Sequence, residues 1–223
     1  MVDRTVSSWC APDEYRFTLP NGRRLLIRPL QPGELHLVRD LCSRLTLRTR
    51  HLRFFSPSPV VPETLMRMLA DVEDTRRMAM IAELDEGDRR VVALGNAIAI
   101  DDDRAEVGLV VADAWQRQGI GVVLAARLLR AADARGFKQF LVHGLWNNPA
   151  VRSLLSHTAE VVSANMRYGV AEIHFIRRPF ADSVSTDPAC SQGSAPWSAA
   201  VDSHPAVERA YQRILLAKGG GVK

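Results

Sequence analysis

The sequence predicts an α/β (α+β) fold in which helices flank one mixed, mostly antiparallel sheet. Three β-rich stretches, 78–84, 91–100 and 105–111, follow one another through short polar turns, which is typical of an antiparallel meander. A helical stretch then separates 105–111 from a strand-like stretch at 137–143, and strands joined across a helix lie parallel. The sheet should therefore be antiparallel except for one parallel pair.

The first third of the sequence predicts a hairpin and two helices. Stretches 15–19 and 24–30 flank Pro-Asn-Gly, and Asn-Gly between apolar runs is a hairpin signal. Apolar residues recur at helical spacing from 34 to about 47. Pro62 begins a second helical pattern that continues through Leu69.

An arginine-rich segment, 43–55, lies between these helices. One interpretation is a helix end whose Phe54 and Phe55 plug the core. The other is a basic nucleic-acid module, but the arginines from 44 to 53 lack interleaved aromatic residues and match no DNA-reading motif. We therefore expect no nucleic-acid partner.

The last part of the domain is predicted from one capping signal and two β-rich runs. Asn148 precedes Pro149, the expected pairing of a helix N-cap with a first helical residue. Stretches 161–163 and 170–177 are predicted to be closing strands.

Composition divides the chain into a flexible leader (1–13), one domain (14–180), a Ser-, Asp-, Pro- and Ala-rich linker (181–204) and a C-terminal amphipathic helix (205–218). The apolar stripe of that helix must be buried somewhere. It folds back onto the domain or packs against a second copy, so a homodimer is one expectation.

The composition is that of an ordinary globular protein of 223 residues, with a formal net charge of +4 and pI near 9.3. The sequence has no apolar run long enough to span a bilayer and no signal-peptide core, so we expect a cytoplasmic protein without membrane contact. Its three cysteines are scattered and its histidines show no ligand spacing, so we expect no metal site.

The turn after 105–111 carries the clearest functional signal. A strand that runs through Gly119 and Gly121 into a helix presents unpaired backbone N–H groups at the positive end of the helix dipole, where a phosphate binds. A side chain at either glycine would hold the phosphate off, and Arg117 adds a cation. The Gly-Lys-Ser/Thr ending and the three-glycine dinucleotide fingerprint are both missing. Another phosphate carrier is indicated.

Gln116, Gly119 and Gly121, placed between a strand and a helix, resemble the Gln/Arg-x-x-Gly-x-Gly/Ala motif of the GNAT superfamily of acetyl-CoA-dependent N-acetyltransferases. Arg53-Phe54-Phe55 is similar to a segment of the acetyltransferase domain of bacterial protein-lysine acetyltransferases. The resemblance covers most of 15–180 and implies a twisted sheet with a splayed parallel pair. It also implies acetyl-CoA as the acetyl donor and an enzyme that acetylates an amine.

The resemblance further implies which residues bind the cofactor. The backbones of Leu109, Val110 and Val111 would pair with the pantetheine amides. Asn148 would either bond the cofactor or only cap its helix. The diphosphate would bind the loop formed by Gln116, Arg117, Gln118, Gly119, Ile120, Gly121 and Val122.

Glu106 is the candidate general base, because an amine must lose a proton before it attacks a thioester. Strand alternation puts Glu106 on the same face as Gly108, whose missing side chain should leave open space for a substrate. The resemblance assigns the family's general base to this glutamate. The alternative is a solvated strand glutamate.

The sequence departs from the family at Leu155, where a tyrosine usually protonates the leaving thiolate. A water, or no general acid at all, must serve instead. Protein lysine is the first expectation for the acceptor and a small-molecule amine the second. A catalytically silent acyl-CoA-binding sensor is a third interpretation, which the absence of that tyrosine supports.

Overall fold

The computed structural model of the protein describes residues 14–56, 58–72, 76–87, 89–145 and 148–179. The leader, the linker and the C-terminal helix expected from the sequence lie outside the described residues.

The described residues form eight strands, five α-helices and one 3₁₀ turn. The strands are β1 (Tyr15–Thr18), β2 (Arg24–Pro29), β3 (Arg77–Leu84), β4 (Val91–Ala99), β5 (Arg104–Val111), β6 (Gln139–Leu145), β7 (Ala159–Arg167) and β8 (Val170–Arg177). The helices are α1 (Leu35–Ser43), α2 (Leu47–Phe54), α3 (Glu63–Ala70), α4 (Ile120–Ala134) and α5 (Pro149–Thr158), and the 3₁₀ turn spans Asp113–Trp115.

All eight strands belong to one sheet in the order β1-β2-β3-β4-β5-β6-β8-β7. Every neighbouring pair is antiparallel except β5 and β6, which α4 connects. The predicted fold class, hairpin, meander and parallel pair are confirmed.

Two predicted elements differ in extent. The helix expected from 34 to 47 ends at Ser43, because Thr46 caps a separate helix by accepting a hydrogen bond from the backbone N–H of Thr49. The strand expected at 161–163 spans Ala159–Arg167. A bulge between Val161 and Ser163 interrupts the period of two that would have revealed its full length.

The sheet divides the core into two layers. Helices α4 and α5 cover one face, where Leu124, Phe140 and Phe175 belong to one buried cluster. Helices α1, α2 and α3 cover the other face over β2 to β5, where Leu41 and Val110 are buried. On this second face α2 also contacts β6, and the outer side chains of β6 and β8 are half-buried or exposed.

None of the described helices combines the length and the apolar composition needed to cross a membrane.

Asp113 fastens the first turn of α2 to the turn that follows β5. Its carboxylate accepts hydrogen bonds from the Thr46 N–H (3.0 Å), the Thr46 hydroxyl (2.6 Å) and the Thr49 hydroxyl (2.7 Å). Burial raises the pKa of Asp113, but the hydrogen bonds from Thr46 and Thr49 outweigh it and hold the pKa below its usual value. We call this group of three residues the threonine–aspartate clasp.

Replacing Asp113 by asparagine removes the charge shared by these donors and keeps the side chain's size. We expect Asp113→Asn to lower the free energy of unfolding at pH 7 by about 1 to 2 kcal/mol. Because the folded-state pKa is the lower one, this stabilisation is present above about pH 4 and is lost as the pH falls through the folded-state pKa. Urea unfolding of both proteins at pH 7 and at acid pH measures the difference.

Asp102→Asn is the matched control, because Asp102 lies exposed in the β4–β5 turn. Equal stability of the wild type and Asp113→Asn at pH 7 would show that the clasp contributes nothing.

Candidate active site

The N-terminus of α4 presents a row of backbone N–H groups, which we call the cradle. The N–H groups of Gly119, Ile120 and Gly121 donate to no acceptor within the described part of the chain, whereas those of Val122 and Val123 bond the Gly119 carbonyl. These three donors lie at the positive end of the dipole of a 15-residue helix. The cradle therefore fits a phosphate group.

The two glycines of the predicted motif serve different purposes. Gly119 has φ of +84°, and a Cβ added to it would meet nothing within 4 Å, so a side chain there would project into the open cradle. A Cβ at Gly121 would instead contact Leu109 and Val111 of β5 at 3.5 and 3.7 Å. The space at Gly119 is thus open, whereas a side chain at Gly121 would face β5, and the expectation that both glycines clear space for a phosphate stays a prediction.

The side chains of the two loop glutamines form hydrogen bonds within the protein and so stabilise the loop. Gln116 donates from Nε2 to the Val111 carbonyl (3.0 Å) and to the Thr49 hydroxyl (3.1 Å). Gln118 donates to the Ala114 carbonyl and accepts from Asn21. Because these side chains bond protein groups, the loop offers a ligand its backbone N–H groups and the exposed side chain of Arg117.

A cleft opens between β5 and β6. The two strands are in register for three residue pairs only, from Arg104 opposite Gln139 to Glu106 opposite Leu141. Beyond that point the edge of β5 that faces β6 has no strand partner among the described residues. Its backbone is free to pair with the amides of an extended ligand.

The three residues predicted to line this cleft are partly or fully buried through their side chains. Val110 belongs to the cluster under α1–α3, whereas Leu109 and Val111 pack against the cluster under α4. Their backbones at the free edge are therefore the groups that a ligand's amides could pair with.

Asn148 and Leu155 have structural roles on α5. Asn148 is buried, and its side-chain oxygen accepts a hydrogen bond from the Ala150 N–H at 3.0 Å, with Pro149 as the first helical residue. The capping interpretation is thus confirmed. Leu155 is a core residue, so the position of the usual tyrosine carries no proton donor.

The space beside Gly108 is not open. The guanidinium of Arg53, from α2, lies where a Gly108 side chain would be and donates to Asn96 Oδ1 of β4 at 2.6 Å. Burial lowers the pKa of Arg53, and attraction to the Glu106 carboxylate opposes that effect. The expectation of an empty substrate pocket at Gly108 is wrong, because a side chain from a distant helix fills it.

Glu106 is the last residue of β5 paired with β6, and its side chain is 49% exposed. Its Oε1 lies 3.0 Å from His143 Nδ1 of β6, while its Oε2 accepts no hydrogen bond from the described residues. A carboxylate oxygen is thus available at the fork between the two strands.

Two side chains of β8, Glu172 and His174, extend the polar contact between Glu106 and His143. Glu172 Oε2 lies 3.7 Å from His143 Nε2, and Glu172 Oε1 lies 2.9 Å from His174 Nε2. The hydrogen bond with His174, more than the charge of His143, keeps the pKa of Glu172 below its usual value. We call Glu106, His143, Glu172 and His174 the carboxylate–histidine row.

Cys42 is unsuited to covalent catalysis. It lies on the buried side of α1, and burial raises the pKa of its thiol to about 11, so little thiolate exists near neutral pH. No grouping of His, Cys, Asp and Glu that could hold a metal ion is found among the described residues.

Sequence reasoning missed Asn96 and the role of His143. Asn96 interrupts an apolar strand, which was the available signal for a buried polar partner. For His143, expected to have a core or surface role, the contact depends on the register between β5 and β6. A sequence does not reveal that register.

Comparison with known proteins identifies the family. The model of a family described as the Acetyltransferase (GNAT) family matches residues 46–155. A curated acetyltransferase from Pseudomonas aeruginosa is 31% identical over 144 residues, which are 64% of this chain and 77% of that protein.

Solved structures share the fold. The GNAT domain of S. lividans PAT superposes with a TM-score of 0.67 at 20% identity, over 76% of this chain and 99% of that one. Spermidine N-acetyltransferase from Vibrio cholerae in complex with CoA and spermine gives 0.51 at 19% identity, over 69% and 95%. A cAMP-binding acyltransferase from Mycobacterium smegmatis gives 0.51 at 21% identity, over 79% of this chain and 50% of that one.

At these identities the structural likeness is one of fold, and the sequence matches establish the relationship. The motif from Gln116 to Gly121 lies within the matched region. The resemblance stated from the sequence is confirmed, and the chain belongs to the GNAT family of acetyltransferases.

Proposed function

We propose that this protein transfers an acetyl group from acetyl-CoA to an amine, with a protein lysine as acceptor and Glu106 as general base. The observation that carries the proposal is the position of Glu106. Its free carboxylate oxygen lies where β5 and β6 separate, on the strand that leads to the anion-binding cradle.

Acetyl-CoA, when bound, supplies the acyl thioester. In the proposal, the N–H groups of Gly119, Ile120 and Gly121 bind its diphosphate and Arg117 adds a positive charge. The free edge of β5 from Leu109 to Val111 pairs with its pantetheine amides.

Glu106 takes a proton from the acceptor. A lysine ammonium has a pKa of about 10.4, so it is protonated at neutral pH and its nitrogen has no free lone pair. Transfer of one N–H proton to Glu106 Oε2 frees that pair for attack on the acyl carbon, and a second N–H proton passes to water as the carbon–sulfur bond breaks and the amide forms. No acid is needed for the departing thiolate, because a thiol of pKa about 8.5 leaves without protonation.

A protein acceptor is supported by the accessibility of the sheet face next to Glu106. His143 and Glu172 are partly exposed on β6 and β8, although α2 also contacts β6. A protruding lysine side chain can reach this surface. The similarity of Arg53-Phe54-Phe55 to the protein-lysine acetyltransferase segment points the same way.

The cytoplasmic location and the contact of 205–218 with a second copy are further proposals from the sequence.

The acceptor is tested by incubating the purified chain with acetyl-CoA and either a cell-protein extract or a mixture of small amines that includes spermidine. We expect acetylated lysines in the proteins by mass spectrometry. Acetylated small amines alone would replace the lysine proposal with the small-molecule alternative, and neither product would favour the silent acyl-CoA sensor.

Glu106→Gln tests the base. We expect kcat to fall by about 10²- to 10⁴-fold while CoA affinity stays unchanged, because the amide keeps the size and loses the basic oxygen. Glu160→Gln, on exposed β7, is the matched control. Unchanged turnover in Glu106→Gln would remove Glu106 from the mechanism.

Gly119→Ala tests the cradle. The new methyl group would point into the space assigned to the diphosphate, and the residue would be held at an unfavourable positive φ. We expect CoA to bind at least about tenfold more weakly in calorimetry. Gly33→Ala is the matched control, because Gly33 has φ of +86° and equally open surroundings outside the cradle. Equal weakening in both variants would mean that strain alone is responsible.

A further inference from the structure

The contact between Glu106 and His143 assigns a task to a residue that the reaction as described above does not use. We infer that His143 is a positioning residue for the general base, and that it holds Glu106 Oε1 so that Oε2 faces the acceptor amine. The inference rests on the proposed role of Glu106.

The direction of the hydrogen bond follows from its partners. An ionised carboxylate only accepts hydrogen bonds, so the 3.0 Å contact between His143 Nδ1 and Glu106 Oε1 requires a hydrogen on Nδ1. The tautomer of a histidine is set by the bond that its ring makes. His143 therefore carries its hydrogen on the nitrogen that faces the base.

The second ring nitrogen has the weaker partner. Nε2 is 3.7 Å from Glu172 Oε2, which is an ion-pair distance and too long for a hydrogen bond. Glu172 is already bonded to His174 at 2.9 Å. Glu172 thus lies near the outer edge of the ring without competing for the Nδ1 hydrogen, and the hydrogen bond to Glu106 is the short polar contact of the ring.

The exposure of the Glu106 side chain is better explained if His143 positions the base than if it relays protons. The Glu106 side chain is 49% exposed, so a proton received on Oε2 has a direct path to water. A chain through His143 and Glu172 would include the 3.7 Å gap and is unnecessary. A half-exposed glutamate on an open sheet face does need restraint, because its side chain otherwise samples several rotamers.

The charges around His143 come from three elements. Glu106 on β5 and Glu172 on β8 flank the ring, and His174 lies beyond Glu172. Arg53 on α2, a helix that also contacts β6, attracts the Glu106 carboxylate. Glu106 is therefore bonded to one donor, His143, and attracted by one cation, with one oxygen left free.

Two substitutions at His143 distinguish the loss of its hydrogen-bond donor from the loss of its ring packing. Asparagine places an amide N–H near the position of Nδ1, whereas glutamine places it near Nε2. With poly-L-lysine as acceptor, we expect His143→Gln to lower kcat about tenfold, a part of the general-base contribution, with KM for acetyl-CoA unchanged. His143→Asn should stay within about threefold of wild type, because it retains the donor. His36→Gln, exposed on α1, is the control.

A spectroscopic measurement needs no acceptor. The two-bond ¹H–¹⁵N spectrum of neutral His143 should show Nδ1 protonated in the wild type, and the hydrogen should move to Nε2 in Glu106→Ala. Protonation on Nε2 in the wild type, or the same tautomer in both proteins, overturns the inference.

The kinetic outcomes distinguish the two levels of the proposal. If Glu106→Gln is inactive while His143→Gln and His143→Asn both match the wild type, the positioning role is wrong and the base stands. Equal losses in both His143 variants would mean that the ring acts by packing. Full activity of Glu106→Gln overturns the role of Glu106 as the base and with it the positioning role of His143.

In the double variant Glu106→Gln, His143→Gln, no loss of kcat beyond that of Glu106→Gln is expected, because the two residues act as one unit.

Discussion

The brevity of the β5–β6 pairing is the constraint on which the candidate site depends. Only three residue pairs join these strands, although β8 pairs with β6 along seven residues and β4 pairs with β5 along seven. A parallel pair needs a crossover, and α4 provides it, so the N-terminus of that helix lies at the end of β5 where the strands have separated. The same divergence creates a free backbone edge, a fork next to Glu106 and an anion cradle at the fork's wide end.

Arg53 occupies the space beside Gly108, two residues along β5 from Glu106. Placing a guanidinium against the backbone of Gly108 removes it from water, which costs free energy unless its charge and donors are matched. Asn96 accepts one hydrogen bond and Glu106 supplies a carboxylate in the neighbourhood. Any side chain at Gly108 would displace this arginine. The glycine is therefore explained by packing of α2 over β5.

The sequence predicted what depends on local pattern, and missed what depends on distant partners. The hairpin at Asn21-Gly22, the meander, the crossover helix α4 and the cap of α5 at Asn148 all have signals within a few residues. The occupant of the space at Gly108 comes from residue 53, and no local pattern in β5 reveals it. Phe55 was expected in the core but is 37% exposed, because it ends α2 in a left-handed conformation while Phe54 packs inward. His143 required the register of the parallel strands.

The threonine–aspartate clasp links two parts of the protein that bind different ligands under the proposed function. Through Thr49, Asp113 is bonded to the amide of Gln116, which shapes the cradle, and through Thr46 and Thr49 it holds the helix that carries Arg53. If donor binding moves the loop, these hydrogen bonds transmit the movement to α2 and to the cation near Glu106. Donor occupancy and acceptor affinity would then be thermodynamically linked, and the two substrates would not show independent saturation.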